Sequence, residues 1–157
     1  MELGAQDAGT GRFGGLGPGM LVHFGGHPLI VERTLRFTGD AQRWTEHRLA
    51  DDRRGRSLWF EVQEQPALLL TMYERLPVGE EPTGGRQVDR DGVTYRLAER
   101  GAATYRSEER AGPGKRGRLE FVEYASGAAR LAYERFDDGP WEVSLGRRVE
   151  AAEVEVG

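Results

Sequence analysis

The chain has 157 residues and no cysteine. Structural disulfides, thiolate metal sites and cysteine nucleophiles are therefore excluded. Lysine is also scarce, with a single residue, and although Lys and Arg together number 22 the 26 acidic residues leave a formal net charge of −4. A general nucleic-acid binder would present a basic face to the phosphates, so that class is not expected. The local basic runs Arg53-Arg54-Gly55-Arg56 and Lys115-Arg116-Gly117-Arg118 sit in turn-like settings and read as solvated loop charge. No apolar run reaches the roughly 18 residues that a membrane-spanning helix needs. The N-terminus has no basic start followed by an apolar segment, so no signal peptide is expected and the cytoplasm is the default location.

What remains suits one folded domain with a well-solvated surface: 38% hydrophobic and 31% charged residues, in a chain long enough for a core. Residues 1–19 are rich in glycine and poor in apolar anchors, and are read as a flexible tail. The run Gly9-Thr10-Gly11-Arg12-Phe13-Gly14 has the spacing G-x-G-x-x-G. No strand precedes it and no helix follows, so it fails as a dinucleotide site.

From Met20 onward the pattern is β. Met20–Phe24 is apolar, and Gly25-Gly26 makes a turn. Leu29, Val31, Arg33, Leu35 and Phe37 then alternate and are assigned to one face. Further strands are expected over 42–49, 57–62 and 118–125, and at 128–136 and 141–145. Val154 and Val156 close the chain. Ala67–Tyr73 fits a buried strand or a helical turn, and strand is favoured. Asp91-Gly92 is a tight-turn dipeptide, followed by the alternating Val93, Tyr95 and Leu97. Pro77–Gly85, with two prolines and a Gly-Gly pair, separates two halves, 20–76 and 86–157.

The halves resemble each other. Setting Gly26 on Gly92 brings Val22 onto Val88, Leu29 onto Tyr95 and Val31 onto Leu97. Trp44-Thr45-Glu46 then matches Phe121-Val122-Glu123, and Phe60-Glu61 matches Tyr133-Glu134. The expected fold is all-β: one domain over 20–157, built of two similar antiparallel meander halves packed as a sandwich or barrel-like roll.

Certain of these residues carry a resemblance. Trp44-x-Glu46-x-x-Leu49, then Leu58-Trp59-x-x-Val62, then Tyr95-x-Leu97-x-Glu99-x-Gly101-x-Ala103 occur in that order, with Glu123-Tyr124 and Tyr133-Glu134 later. This resembles the uncharacterised bacterial family called domain of unknown function 4178, from about Gly19 to the C-terminus. His47 departs from the pattern, since such proteins more often carry tyrosine there, and Pro28-Leu29 stands where a tyrosine is usual. The family has no established activity, so the resemblance implies no catalytic residues. It implies a soluble bacterial protein. Relatives are often encoded near small membrane proteins and polyamine-synthase-like enzymes, which points to a membrane-associated stress or transport system and a possible membrane-protein partner.

The residues themselves offer one enzymatic possibility. If the turn after Ala50 pairs Asp51 with Arg56, Glu46 lies opposite Glu61, and two such carboxylates must share a proton, bind a cation or repel. A register one residue away puts Glu46 opposite Phe60 and removes the pair. That register is favoured, because like charges are normally kept apart and because a Ser126-Gly127 turn would give Glu123 an ion pair with Arg130. Glu46 is then expected to meet Arg48 or Arg56. His23 and His27 flank a turn and could converge only with Glu32 or Glu46; exposed turn histidines are the simpler reading. Ser57, Ser107, Ser126 and Ser144 lack a glycine-framed elbow. Trp44, Trp59, Tyr73, Tyr95, Tyr105, Tyr124, Tyr133 and Trp141 serve packing or line a groove. The favoured function is a non-enzymatic binding or adaptor module for a protein partner, without metal or cofactor, with Trp44, Glu46, Trp59, Glu61, Glu123 and Glu134 as candidate binding residues. The alternative is a small-molecule or cation-binding protein, or a weak hydrolase, using Glu46 and Glu61. The two carboxylates in one concave pocket would favour the second.

Overall fold

The structure, a computed structural model, describes residues 13–51 and 55–157. Eleven strands form among them: β1 (Leu21–Phe24), β2 (His27–Thr38), β3 (Arg43–Asp51), β4 (Arg56–Gln63), β5 (Leu69–Arg75), β6 (Gln87–Arg90), β7 (Val93–Glu109), β8 (Arg116–Ser126), β9 (Ala129–Phe136), β10 (Trp141–Val149) and β11 (Val154–Val156). They lie in the order β11-β1-β2-β3-β4-β5-β10-β9-β8-β7-β6, every pair antiparallel. Strand β7 also pairs with β2, from Arg33↔Glu109 to Thr38↔Thr104. That pairing closes eight of the strands into a barrel and leaves β1, β11 and β6 outside the ring.

Local chemistry fixes where the chain reverses. The β1–β2 and β6–β7 hairpins turn on two positive-φ residues each, Gly25-Gly26 and Asp91-Gly92, as two-residue turns between right-twisted strands require. Both hairpins lead into a long strand with a bulge, at Val31/Arg33 in β2 and at Leu97/Glu99 in β7. A bulge inserts one residue and switches which face the following side chains occupy. Leu29 and Val31 thus point outward from the barrel, while Leu35 and Phe37 point inward. The expectation that all the odd residues from Leu29 to Phe37 share a face is corrected by that inserted residue.

The barrel wall is apolar outside and mixed inside. Leu49, Leu58, Phe60, Val62, Leu70 and Met72 face outward and are covered by Phe13, Leu16, Val22 and Val154. On the other flank, Tyr95, Tyr124, Leu131, Tyr133 and Val143 face outward against Leu76 and Val88. There the Tyr124 hydroxyl donates to Gly85 O at 2.7 Å, so the segment between the halves is packed against the wall. Inside, Leu35, Phe37, Tyr105 and Leu119 fill one part of the lumen.

The two halves meet edge to edge, along β2–β7 and β5–β10, rather than face to face. The barrel form of the expected fold is therefore the one adopted, and the sandwich is not. The favoured strand over Ala67–Tyr73 is present as β5, and Val93 to Glu109 is one continuous strand. Within the stretch expected to be a tail, Phe13 and Leu16 are buried, 1% and 0% exposed. Residues 1–12, with most of the G-x-G-x-x-G run, lie outside the described residues, as do Arg53 and Arg54. Among the described residues no helix is long and apolar enough to cross a membrane.

Candidate functional site

The rest of the lumen is a cavity of about 190 Å³. It lies toward the end of the barrel where β3 and β5 begin and β4 and β10 end, with Gln42, Gln63, Leu69 and Arg148 at those strand ends. Trp44, Glu46, Trp59, Glu61, Glu123 and Glu134 all line it. The six candidates gathered from separate stretches of sequence are thus brought to one place.

The register decides this. Asp51 pairs with Arg56, and Glu46 stands directly opposite Glu61. The favoured alternative, Glu46 opposite Phe60, is incorrect: Phe60 faces His47, outside the barrel. Glu123 lies opposite Ala132, not Arg130, because the β8–β9 turn is centred one residue later, at Gly127-Ala128, and Ser126 pairs with Ala129. Glu46 meets neither Arg48, which lies opposite Trp59, nor Arg56. Two further like-charge neighbours follow from the same alternation, Glu99 opposite Glu123 and Glu134 opposite Glu142.

Two cations offset part of this charge. Arg75 bridges Glu134, at 3.2 Å, and Glu142, at 3.1 Å, with its guanidinium 4.9 Å from the centre of the Trp59 ring. Arg148 donates to Thr71 Oγ1 at 2.8 Å. The cavity wall therefore carries five glutamates against two arginines. Other polar links hold the walls in place. Tyr73 donates to Glu123 at 2.9 Å, Gln42 to Glu99 at 2.8 Å, and the Trp44 indole to Glu46 at 3.2 Å. Glu46 and Glu134 line the same cavity, and the charge of Glu134 weighs on Glu46.

Buried like charges disfavour ionisation. Burial first, then the neighbouring Glu123 and Glu134, pushes the Glu61 carboxyl up to about 8. Burial, reinforced by Glu134, raises Glu46 well above the usual carboxylate range, and burial raises Glu134 and Glu99 as well. Trp59 contributes a buried indole N–H with no hydrogen-bond partner.

Sequence reasoning missed Glu99, Arg75 and Arg148. Glu99 continues the alternation of Tyr95 and Leu97, which are outward, and the bulge turns it inward. Arg75 and Arg148 read as ordinary surface residues at strand ends, and only barrel closure brings them inside. The histidines do not gather. His23 and His27 sit on neighbouring strands, half-buried rather than exposed. His47 is fully buried outside the barrel, held by Thr34 at 2.8 Å and Thr45 at 3.0 Å. Among the described residues no group of three or more His, Cys, Asp or Glu is placed to hold a metal ion.

Fold and site together define an all-antiparallel barrel with a polar, acidic lumen. Its sequence places it plainly: residues 17–151 match the profile of a domain of unknown function (DUF4178), and the chain belongs to that family. An uncharacterised protein of Mycobacterium tuberculosis is 33% identical over 150 residues, covering 90% of this chain and 71% of that protein. An uncharacterised protein of Mycobacterium bovis matches to the same extent. No solved structure matches the chain.

Proposed function

We propose that the barrel is a binding protein for a small, positively charged molecule held in the lumen. The observation that carries this reading is a cavity at one end of the barrel whose wall holds five glutamates and two arginines, Arg75 paired with Glu134 and Glu142 and Arg148 bonded to Thr71. A core built only for stability would not gather buried like charges, since each raises the cost of ionising the next. A cation in the lumen removes that cost and has charged, low-mobility partners on several strands.

A flat, exposed aromatic surface would favour an adaptor. Trp44, Trp59 and Tyr73 instead line the lumen, and Tyr95, Tyr124 and Tyr133 lie under the segment joining the halves. Those aromatics support small-molecule binding rather than docking of a protein partner. Hydrolysis has less support, because no nucleophile stands beside a free base in the cavity wall among the described residues.

A thermal-shift and calorimetric panel tests the reading. Small cations at low salt are expected to raise the melting temperature, with a stabilisation of about 2.7 kcal/mol at a hundredfold excess over Kd, and neutral molecules of the same shape are not. Replacing Glu123 by Gln is expected to weaken the cation by about tenfold. Equal response to charged and neutral compounds would overturn the proposal.

A further inference from the structure

The lumen holds donors as well as carboxylates, and two of them have no anionic partner. Glu46 faces Glu61, Glu61 faces Thr71, and Thr71 faces Arg148, so these four residues form one row across β3, β4, β5 and β10. The Arg148 guanidinium makes one hydrogen bond, to Thr71 Oγ1 at 2.8 Å. Its charge is felt by Glu61 and Glu99, yet among the described residues it forms no ion pair. Arg75 differs, being bound to Glu134 and Glu142. A guanidinium has five N–H donors, so most of those on Arg148 are unused.

The second donor is Trp59, one inward position further along β4 and opposite Tyr73. It is 5% exposed, it lines the cavity, and its indole N–H has no partner. Buried donors are normally satisfied, so this one calls for an acceptor on whatever enters. The acceptors of the lumen are in a different condition. Glu46 takes the Trp44 N–H, Glu123 the Tyr73 hydroxyl and Glu99 the Gln42 amide, and each carboxylate keeps lone pairs to offer. Glu61 takes no hydrogen bond among the described residues. A metal ion or a simple alkylammonium would satisfy these carboxylates. It would also be repelled by Arg148 and would leave the Trp59 donor empty. The lumen is built for both signs, with negative charge in excess.

Resting on the cation-binding reading above, we propose that the ligand carries a carboxylate beside its positive charge: a small diamino acid with net positive charge, its ammonium groups among the glutamates and its carboxylate against Arg148 and the Trp59 N–H. Arginine and carboxylate match in shape as well as in charge, through two parallel N–H···O bonds. Thr71 holds the guanidinium against the wall, which fixes the direction it presents. Five glutamates against one arginine free of carboxylates require that the ligand keep a positive balance, so an amino acid with an apolar side chain does not fit.

Ornithine, 1,4-diaminobutane and norvaline are matched probes: the second lacks only the carboxylate of the first, and the third lacks only its side-chain ammonium. Calorimetry near pH 7 is expected to show ornithine binding about tenfold or more tighter than the diamine, although the diamine has the greater positive charge, and norvaline weakest. Arg148→Gln, checked for folding by circular dichroism, is expected to weaken ornithine about tenfold and to tighten the diamine, removing the preference. Trp59→Phe keeps an aromatic ring and removes the N–H; it is expected to weaken ornithine several-fold and to leave the diamine unchanged. The diamine binding the wild type as tightly as ornithine overturns the inference and leaves the cation-binding reading intact. So does a preference for ornithine that survives Arg148→Gln, or, should that variant not fold, an equal loss of both ligands in Trp59→Phe. Norvaline binding as tightly as ornithine sinks the cation-binding reading and the inference with it. If none of the three binds, the inference falls, and the wider panel of small cations decides the reading beneath it.

Discussion

Glu61 and His47 lie on opposite sides of the same two paired strands, and their titrations oppose each other. Glu61 is raised from 4.5 to about 8 by burial. The folded protein therefore holds a proton that the unfolded chain has lost, so this contribution to stability is complete below about pH 4.5 and disappears as the pH rises toward 8. His47 is lowered from 6.5 to about 3, again by burial, with Arg36 adding to the shift. Its contribution is complete above about pH 6.5 and is lost as the pH falls toward 3. Glu61→Gln is expected to be more stable than wild type by roughly 1–3 kcal/mol at about pH 8, and nearly neutral at about pH 4, in denaturant titrations at the two values. His47→Ala leaves the Thr34 and Thr45 hydroxyls without their imidazole partner and is expected to cost about 2–4 kcal/mol at neutral pH, with a flatter acid limb. Much of this was legible in the sequence. The aromatic-x-Glu repeat picks out residues that line one cavity, and an Asp51–Arg56 pair is indeed the condition that faces Glu46 with Glu61. The preference for the other register failed because it assumed that like charges stay apart, a rule that holds for surfaces and is broken in this lumen.

At the scale of elements, the two bulges decide which residues reach the cavity. They fall at positions that the comparison of the halves sets on each other, Val31 with Leu97. Alternation alone could not reveal them, since a bulge leaves the period of two intact on either side and only changes its phase. The β5–β10 seam depends on Gly146. A Cβ there would lie 2.5 Å from Tyr73 Cδ1 and 2.8 Å from Met72 O. Gly146→Ala is expected to push the Tyr73 ring aside, to break its bond to Glu123, and to lower stability by about 1–3 kcal/mol. Loss of cation affinity accompanying the lowered melting temperature would confirm the route through Tyr73; an unchanged affinity would refute it. The N-terminal segment is likewise part of the outer layer, and Phe13→Ala and Leu16→Ala are each expected to cost about 2–4 kcal/mol in thermal or denaturant unfolding. Glycine-rich composition concealed this, because two buried side chains are enough to anchor a short stretch that otherwise reads as tail.

For the molecule as a whole, closure is the property that neither half possesses. Each half has two long edges, at β2 and β5 or at β7 and β10, and each edge is completed only by the other half. Separate polypeptides covering 13–76 and 77–157 are expected to be unfolded or aggregated alone and to recover the barrel when mixed, with amide exchange along β2–β7 and β5–β10 as the readout. The sequence supplied the strand inventory and the all-β class. It left the choice between face-to-face and edge-to-edge assembly open, because the alternating patterns describe faces, whereas this wall is apolar outside and mixed inside.

The placement of the tryptophans makes the molecule its own optical reporter. Of the three in the chain, Trp44 and Trp59 line the lumen, while Trp141 lies on the outer wall with Arg135 5.5 Å from its ring centre. Occupation of the lumen changes the surroundings of the first two indoles and leaves the third as a constant background. In a Trp141→Phe variant the remaining emission comes wholly from the cavity wall, so filling of the barrel can be followed in real time, without an attached dye, by the fluorescence the chain already carries.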